Sequence, residues 1–315
     1  MQKFLNKIIC GDCIELLSKV RKPFADLIFA DPPFNIGYEY DKYNDKQDRE
    51  QYIAWTKDWM TVCKKVLKPH GSLYIAIADE YAANVKIIAD ALGLFLRNWL
   101  IWHYTFGQQM KNKFARSHTH IFYFVNDEKN FTFNDYAVRV PSDRQLIYND
   151  RRANPVGKMP DDVWSQYSRV CGTFKERTGW HPCQMPESLL KRIIAASSNP
   201  GDCVLDPFSG SGTTAAAAYQ LDRNYVAVEV SQRYVENAKK RLADLKSLHR
   251  SNLFFNLTEL GELKRLLSDM EMPAKEIAAD RDLLQLFTNQ FTVRMNNGKQ
   301  YKTEEMVTAL KDLAG

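Results

Sequence analysis

The run "ADLIFA" at residues 25–30 is nearly continuous in apolar side chains, and it ends on Asp31-Pro32-Pro33-Phe34. A strand that is apolar on both faces must be covered on both, which is the habit of a parallel sheet with helices above and below. Proline fixes φ and lacks an N–H, so a ladder cannot run through two of them. The strand therefore stops at Asp31. Its carboxylate and the next carbonyls are held stiffly at the carboxyl end of a strand, where open α/β folds bind ligands. A rigid cluster of acceptors beside an aromatic ring suits a planar ligand that carries an amino group.

The rest of the chain keeps the same order. "KIIC" is a short strand, "CIELLSKV" has helical spacing, and "REQYIAWTKDWMTVCKKVL" is an amphipathic helix ended by "KPHG". "SLYIAIA" is a buried strand, and "YAANVKIIADALG" is a helix with Gly93 as its stop. "FLRNWLIWHY" and "HTHIFYFV" read as antiparallel strands. From about 130 to 180 no period is sustained, and Pro, Gly, Arg, Asn and aromatics dominate, as in a loop-rich insertion. Helix and strand then alternate again through "SLLKRIIAASS", "CVLD", "GTTAAAAYQL", "NYVAVEV" and "QRYVENAKKRLADL". The pattern predicts a Rossmann-like, mostly parallel sheet with helices on both faces over residues 1–245, and a small helical appendage over 246–315.

"CVLDPFSGSGTTAAAAYQL" sets a strand, a turn with Gly210 and Gly212, and an Ala-rich helix in succession. Free N–H groups at such a helix start point outward, and the helix dipole adds to their pull on a negative or polar group. Thr213 or Thr214 is placed to cap the helix. The turn lacks the Lys of a Walker A loop and the full G-x-G-x-x-G pattern, which favours a carboxylate or a nucleoside over a nucleotide phosphate. Glu229 closes the next strand, about 20 positions on, where an acidic side chain can hold ribose hydroxyls. Without a ligand, the same residues would be a plain strand-to-helix turn with a carboxylate at a strand end.

With 315 residues, 45% hydrophobic and 26% charged, the chain can bury one large core and a smaller one. Its formal net charge of +5 agrees with a polyanionic partner without requiring one. No stretch reaches the roughly 20 apolar residues of a membrane span, and the start "MQKFLNKIICGDC" lacks a signal-peptide layout. Reduced thiols and no export signal point to the cytoplasm. Cys10 and Cys13 form a lone CxxC, and His118 and His120 flank Thr119 on a strand. Neither has the further ligands a metal site needs, so no metal is expected.

Taken in order, several motifs together resemble one family. "GDCIELL" (11–17), "DLIFADPPF" (26–34), "VLKPHGSLYI" (66–75), "LIWHYTFGQQMKNKF" (100–114), "HPCQMPESLLKRII" (181–194), "VLDPFSGSGTT" (204–214) and "VAVEVSQRY" (226–234) run through residues 3–245. They resemble the beta-class DNA amino-methyltransferases, which methylate exocyclic base amines with S-adenosylmethionine. The resemblance implies that Asp206, Phe208, Ser209, Gly210, Ser211, Gly212 and Thr213 hold the methionine end of that cofactor, with His181, Pro182 and Gln184 beside it. It also implies Glu229 on the ribose and Asp12 on the adenine amino group. Met185 stands where the family pattern often has Lys, so a cationic contact to the cofactor carboxylate is missing.

Asp31, Pro32, Pro33 and Phe34 would then grip the amine of a base flipped out of duplex DNA. Asp31 and the carbonyl of Pro32 or Pro33 accept its hydrogens, and Phe34 stacks on it. Asn35-Ile36-Gly37, with Tyr38 and Tyr40, would form a flexible lip. Lys111, Lys113 and Arg116, with Arg139, Arg144, Arg151, Arg152 and Lys158 of the insertion, are the expected DNA contacts. Asp at the head of the tetrad is typical of adenine-N6 enzymes. A cytosine-N4 enzyme is the runner-up, and a protein or small-molecule amine methyltransferase ranks behind it. A homodimer and a cognate restriction endonuclease are further expectations of the resemblance.

Overall fold

A computed structural model describes residues 4–109, 111–148, 150, 152–154, 156–174, 176–248, 255–295 and 299–314. The elements run β1 (Lys7–Cys10), α1 (Cys13–Ser18), β2 (Ala25–Ala30), α2 (Arg49–Val66), β3 (Leu67–Ile77), α3 (Asp79–Ala91), β4 (Phe95–Gln108) and β5 (Arg116–Val125). They continue through α4 (Asp143–Leu146), β6 (Val163–Trp164), α5 (Glu187–Ser197), β7 (Cys203–Asp206), α6 (Thr213–Gln220), β8 (Asn224–Glu229) and α7 (Gln232–Leu248). Helices α8 (Leu257–Met270), α9 (Ala274–Ala279), α10 (Arg281–Met295) and α11 (Thr303–Ala314) follow.

One sheet carries the strands in the order β1-β8-β7-β2-β3-β5-β4-β6. From β1 to β3 the neighbours are parallel, and β5 then pairs antiparallel with both β3 and β4, as the sequence predicts for β4 and β5. Every residue of β2 is buried. Leu27 and Phe29 face a core with α5, α6 and α7, while Ile28 and Ala30 face a second core with α1, α2 and α3. Alternation along a strand assigns them to opposite faces.

The polar residue of β2 corrects one expectation. "KPHG" does not end α2 as a turn; it is the start of β3. Asp26, 3% exposed, accepts from Lys68 Nζ at 2.9 Å and from the Cys203 N–H at 2.9 Å, and its carboxylate meets His70 Nε2 at 2.9 Å. A buried carboxylate is tolerable only when paired, and residues 68 and 70 reach it because they are extended, on one side of a strand. A second correction concerns α6, whose N-cap is Gly212 at φ 75° without a side-chain cap. Thr213 Oγ1 instead meets Ser211 Oγ at 2.8 Å.

Helices α8–α11 enclose a third core that includes Leu263, Leu266, Phe287, Phe291 and Met306. Leu146 of the insertion packs against it. A buried ionic cluster ties this unit to the rest. Asp269 pairs with Arg192 at 2.6 Å and Arg294 at 2.9 Å, and Glu262 pairs with Arg265 at 2.6 Å. Tyr167 Oη donates to Asp269 at 2.7 Å, Arg294 Nε donates to the Arg139 carbonyl at 3.0 Å, and Arg265 donates to the Ala137 carbonyl.

The described cysteines are free, and burial pushes the Cys13 thiol up to about 12, far from the thiolate that redox or zinc chemistry needs. Among the described residues no group of three or more possible metal ligands occurs, and no helix is long and apolar enough to cross a membrane.

Candidate active site

A cavity of about 130 Å³ opens at the carboxyl ends of β2, β7 and β8. Strands β2 and β7 are parallel neighbours, with Leu27 opposite Val204 and Ile28 opposite Leu205. The tetrad that follows β2 and the glycine turn that follows β7 therefore begin side by side. Asp12, Asp31, Pro33, His181, Asp206, Phe208, Ser209, Gly210, Ser211, Thr213 and Glu229 all lie on the cavity wall.

The turn is built by backbone donors on carboxylates. Asp206 accepts from the Phe208 N–H at 2.9 Å, and Glu229 accepts from Gly210 at 2.8 Å and Ser231 at 2.9 Å. Arg241 of α7 props the turn from behind, donating to the Ser211 carbonyl at 3.1 Å and to Thr213 Oγ1 at 2.9 Å. Its other partner is Glu187 at 3.3 Å. Burial would raise the Glu187 carboxyl, but Lys191 and Arg241 beside it bring it down to about 2.

Gly210 sits at φ 47°, and a Cβ there would lie 2.7 Å from His181 Nε2. The His181 ring is hemmed in by Tyr234 at 4.8 Å and Tyr40 at 6.3 Å. Both the left-handed backbone and the close approach demand glycine. Gly210→Val is expected to weaken binding of S-adenosylmethionine by roughly 100-fold, about 2.7 kcal/mol. Isothermal titration of the purified variant checks it, and an unchanged affinity would remove the turn from the cofactor site.

Burial and the nearby Asp206 charge push the Asp31 carboxyl up to about 8, and burial chiefly lifts Asp206 to about 7. Burial holds His181 down at about 4, a neutral imidazole at neutral pH. The Pro33 carbonyl is already engaged, since Tyr52 Oη donates to it at 2.6 Å. Pro32 is buried, and Phe34 is half-buried between the two sheet cores and off the cavity wall.

The segment after the tetrad is anchored by a residue the sequence reading passed over. Asp45, 2% exposed, accepts from the N–H groups of Asn35 at 2.6 Å, Ile36 at 3.2 Å and Tyr38 at 2.9 Å. Asn35 takes the left-handed backbone at φ 59° and its amide donates to Tyr81 Oη at 2.8 Å. The root of the expected lip is thus pinned. Farther on, Ser231 Oγ donates to Asp41 at 2.6 Å, and Tyr40 comes onto the cavity wall. Asp45→Ala leaves three backbone donors without their acceptor. It is expected to lower stability by about 2 kcal/mol, readable as a fall in the urea midpoint at unchanged slope; an unchanged midpoint would show that water replaces the carboxylate.

Other residues singled out in the sequence lie elsewhere. Asp12 caps α1 through the Glu15 N–H at 3.0 Å while remaining on the wall. Pro182 is exposed, and Gln184 is buried off the wall, bridging the Thr178 N–H and the Glu176 carbonyl. Gly212 packs under α7, where a Cβ would lie 2.9 Å from that of Ala238. Lys111, Lys113 and Arg144 are exposed. Arg116 is paired with Asp79 at 2.8 Å and Glu80 at 2.9 Å, Arg139 with Asp135 at 2.8 Å, Arg152 with Asp150 at 3.0 Å and Lys158 with Asp161 at 3.1 Å. Arg151 lies outside the described residues.

The wall fits a cationic nucleoside cofactor. Asp12, Asp31, Asp206 and Glu229 face the cavity against Lys42 as the one lysine or arginine among the described lining residues. Ser209 Oγ is buried without a hydrogen-bond partner, as expected of a group that waits for a ligand.

A mostly parallel sheet with an acceptor tetrad and a glycine turn on one rim defines a nucleoside-binding α/β protein. Residues 25–240 match the DNA methylase family of N6 and N4 methyltransferases, and the chain belongs to that family. It is 37% identical over 238 residues to the type II methyltransferase M.HpaI of Haemophilus parainfluenzae, covering 75% of this chain and 74% of that protein. It is 36% identical over 288 residues to the DNA adenine methyltransferase YhdJ of Escherichia coli K12, covering 88% of this chain and 94% of that one. The structure of the M1.HpyAVI–SAM complex shares the fold, with a TM-score of 0.53 at 21% identity over 75% of this chain and 98% of that chain.

Proposed function

We propose that the chain transfers a methyl group from S-adenosylmethionine to N6 of an adenine flipped out of duplex DNA. The observation that carries it is the shared cavity: Asp31 and the Ser209–Gly210 turn line the same wall. The resemblance to a cofactor-bound methyltransferase of the same fold and the acidic, partner-seeking wall support the cofactor. Asp at the head of the tetrad, and likeness to a relative named as an adenine methyltransferase, support adenine.

When bound, S-adenosylmethionine supplies an electrophilic methyl on a sulfonium. The chain's own residues do the rest. An exocyclic amine is a poor nucleophile because its lone pair is delocalised into the ring. Asp31 accepts one amine hydrogen and a tetrad carbonyl the other. Of the two prolines, Pro33 lines the cavity, and Tyr52 takes one of the two lone pairs of its carbonyl. Held by two acceptors, the nitrogen becomes tetrahedral and its lone pair localises toward the methyl. Asp31 also stabilises the positive charge that develops there. Positioning and fixed acceptors supply the catalysis. Flipping the base costs a few kcal/mol, and Tyr40 on the wall offers a ring for it to meet.

The insertion and α8–α11 are best read as one DNA-recognition lobe, joined by the Arg–carboxylate cluster. A homodimer and a cognate endonuclease acting in the cytoplasm complete the proposal; sedimentation as a two-chain species is the expected result for the dimer. The function itself is tested by incubating the protein with methyl-labelled cofactor and unmethylated duplex DNA, free nucleosides or protein. Label in N6-methyldeoxyadenosine after digestion of the DNA is expected. Label in N4-methyldeoxycytidine would make it a cytosine enzyme, and label outside DNA would overturn the substrate class.

A further inference from the structure

Phe114 is 98% exposed, the most exposed large hydrophobic residue described. It stands in the turn between β4 and β5, where Gln108 is the partner of Arg116, and Lys111 and Lys113 are exposed beside it. The turn is directed by the sheet. β5 runs antiparallel to β3 with His120 opposite Ile77, the last residue of β3. Residues 116–119 therefore pass beyond the end of β3, by roughly 13 Å at 3.3 Å per residue. They project from the same rim of the sheet that carries Asp31 at the end of β2.

The root of this hairpin is fixed. Arg116 is clasped by Asp79 and Glu80 at the start of α3, and Tyr81, the next residue of α3, holds Asn35 just after the tetrad. Across the hairpin, a Cβ at Gly107 would lie 2.1 Å from the Arg116 carbonyl oxygen, so the two strands approach as closely as only glycine allows. An exposed ring on a braced hairpin, with Lys111 and Lys113 just before it in the chain, does not match a protein-docking patch. It matches a duplex: phosphates for the lysines and the base stack for the ring. When a base leaves the stack, it vacates a slot one aromatic ring thick, and apolar side chains inserted between base steps are a known way to hold DNA deformed.

We propose that Phe114 enters the base stack where the target base has left, holding the duplex open while the base occupies the cavity. The role rests on the assignment of the cavity as a site for a flipped base. It makes Phe114 a positioning residue, with no contact to the reacting atoms. Lys111 and Lys113 set the hairpin on the flanking phosphates.

The test uses the full chain and a duplex containing its own methylation site, mapped by sequencing DNA from an expressing host free of adenine methylation. Two versions are compared, one with the target base normally paired and one with it opposite an abasic site, where it is already released. Phe114→Ala is expected to lower kcat/KM by about 30-fold on the paired duplex and by less than about 3-fold on the abasic one, because only the first needs the wedge. Phe114→Trp is expected to keep most activity and to show quenching of its added emission on the paired duplex with S-adenosylhomocysteine present. A paired Lys111→Ala, Lys113→Ala variant should lose on both duplexes and show a shallower salt dependence. Equal losses for Phe114→Ala on the two duplexes, or none on either, would overturn the proposal. If the parent chain transfers no methyl to either duplex, the assignment of the cavity fails instead.

Discussion

Asp31→Ala is expected to slow methyl transfer to DNA by about 1,000-fold, or roughly 4 kcal/mol, while the affinity for S-adenosylmethionine changes by less than about 3-fold. The size follows from the chemistry. Removal of one preorganised group that meets developing charge in a closed site costs 100- to 1,000-fold in rate. Asp31 does two such things at once, accepting an amine hydrogen and facing the nascent cation. The remaining acceptor, a tetrad carbonyl, is neutral and cannot substitute for a carboxylate. Cofactor affinity is spared because Asp206, Glu229 and the Gly210 turn keep their mutual hydrogen bonds when Asp31 is shortened. Single-turnover rates and equilibrium binding on the same preparation separate the two effects. A parental transfer rate would remove Asp31 from the chemistry, and joint loss of rate and cofactor binding would make it a cofactor ligand instead.

Asp269→Asn should be the most damaging substitution outside the cavity. Asp269 is enclosed with Arg192, Arg265 and Arg294, and Glu262 is the other anion of the cluster. Burial raises its carboxyl, yet the three guanidinium groups hold it below the ordinary range. Removing one partner of a buried pair leaves an uncompensated charge and costs about 3–5 kcal/mol. Because the carboxyl is depressed in the folded chain, its contribution is complete above the unfolded value near 3.9 and is lost as pH falls through the folded one. The cluster joins α5, α8 and α10 to Tyr167 and to the Ala137 and Arg139 carbonyls of the insertion. The insertion and α8–α11, proposed as the recognition lobe, should therefore loosen first. Urea unfolding should show the loss of stability, and DNA affinity should fall by a larger factor than cofactor affinity. Equal losses in both affinities would mean the lobe is only a scaffold.

The parts of the fold that were legible in the sequence were those with a local cause. An apolar run cut by Pro32-Pro33 can only be a strand with a stiff end, and Gly210 and Gly212 after "CVLD" announce a turn into a helix. The runs "FLRNWLIWHY" and "HTHIFYFV" announced the antiparallel pair β4 and β5. What escaped had causes far away in the chain. Lys68 and His70 are drawn into β3 by Asp26, more than 40 positions earlier. Asp45 shapes the segment after the tetrad through backbone N–H groups, which leave no trace in composition. Arg241 and Glu187 brace the glycine turn from two different helices. Charges in the insertion were visible, but that Arg139, Arg152 and Lys158 meet acidic partners within the chain was not. A polar helical tail was visible too, and its grip on residues 137–139 was not.

The central claim is that an ionised Asp31 carboxylate on the cavity wall holds the amine during transfer. The pH dependence of kcat/KM for the cofactor tests it most directly, since that ratio reports the ionisation of the free protein. Asp31 is lifted to about 8 and must lose its proton to act, so the parent's kcat/KM should climb about tenfold per pH unit below that value and level off above it. Asp31→Asn should abolish that rise at a rate already far below the parent's. A parent profile that is flat from pH 6 to 9, or a rise centred near 8 that survives in Asp31→Asn, would contradict the account; a rise near 7 belongs to Asp206.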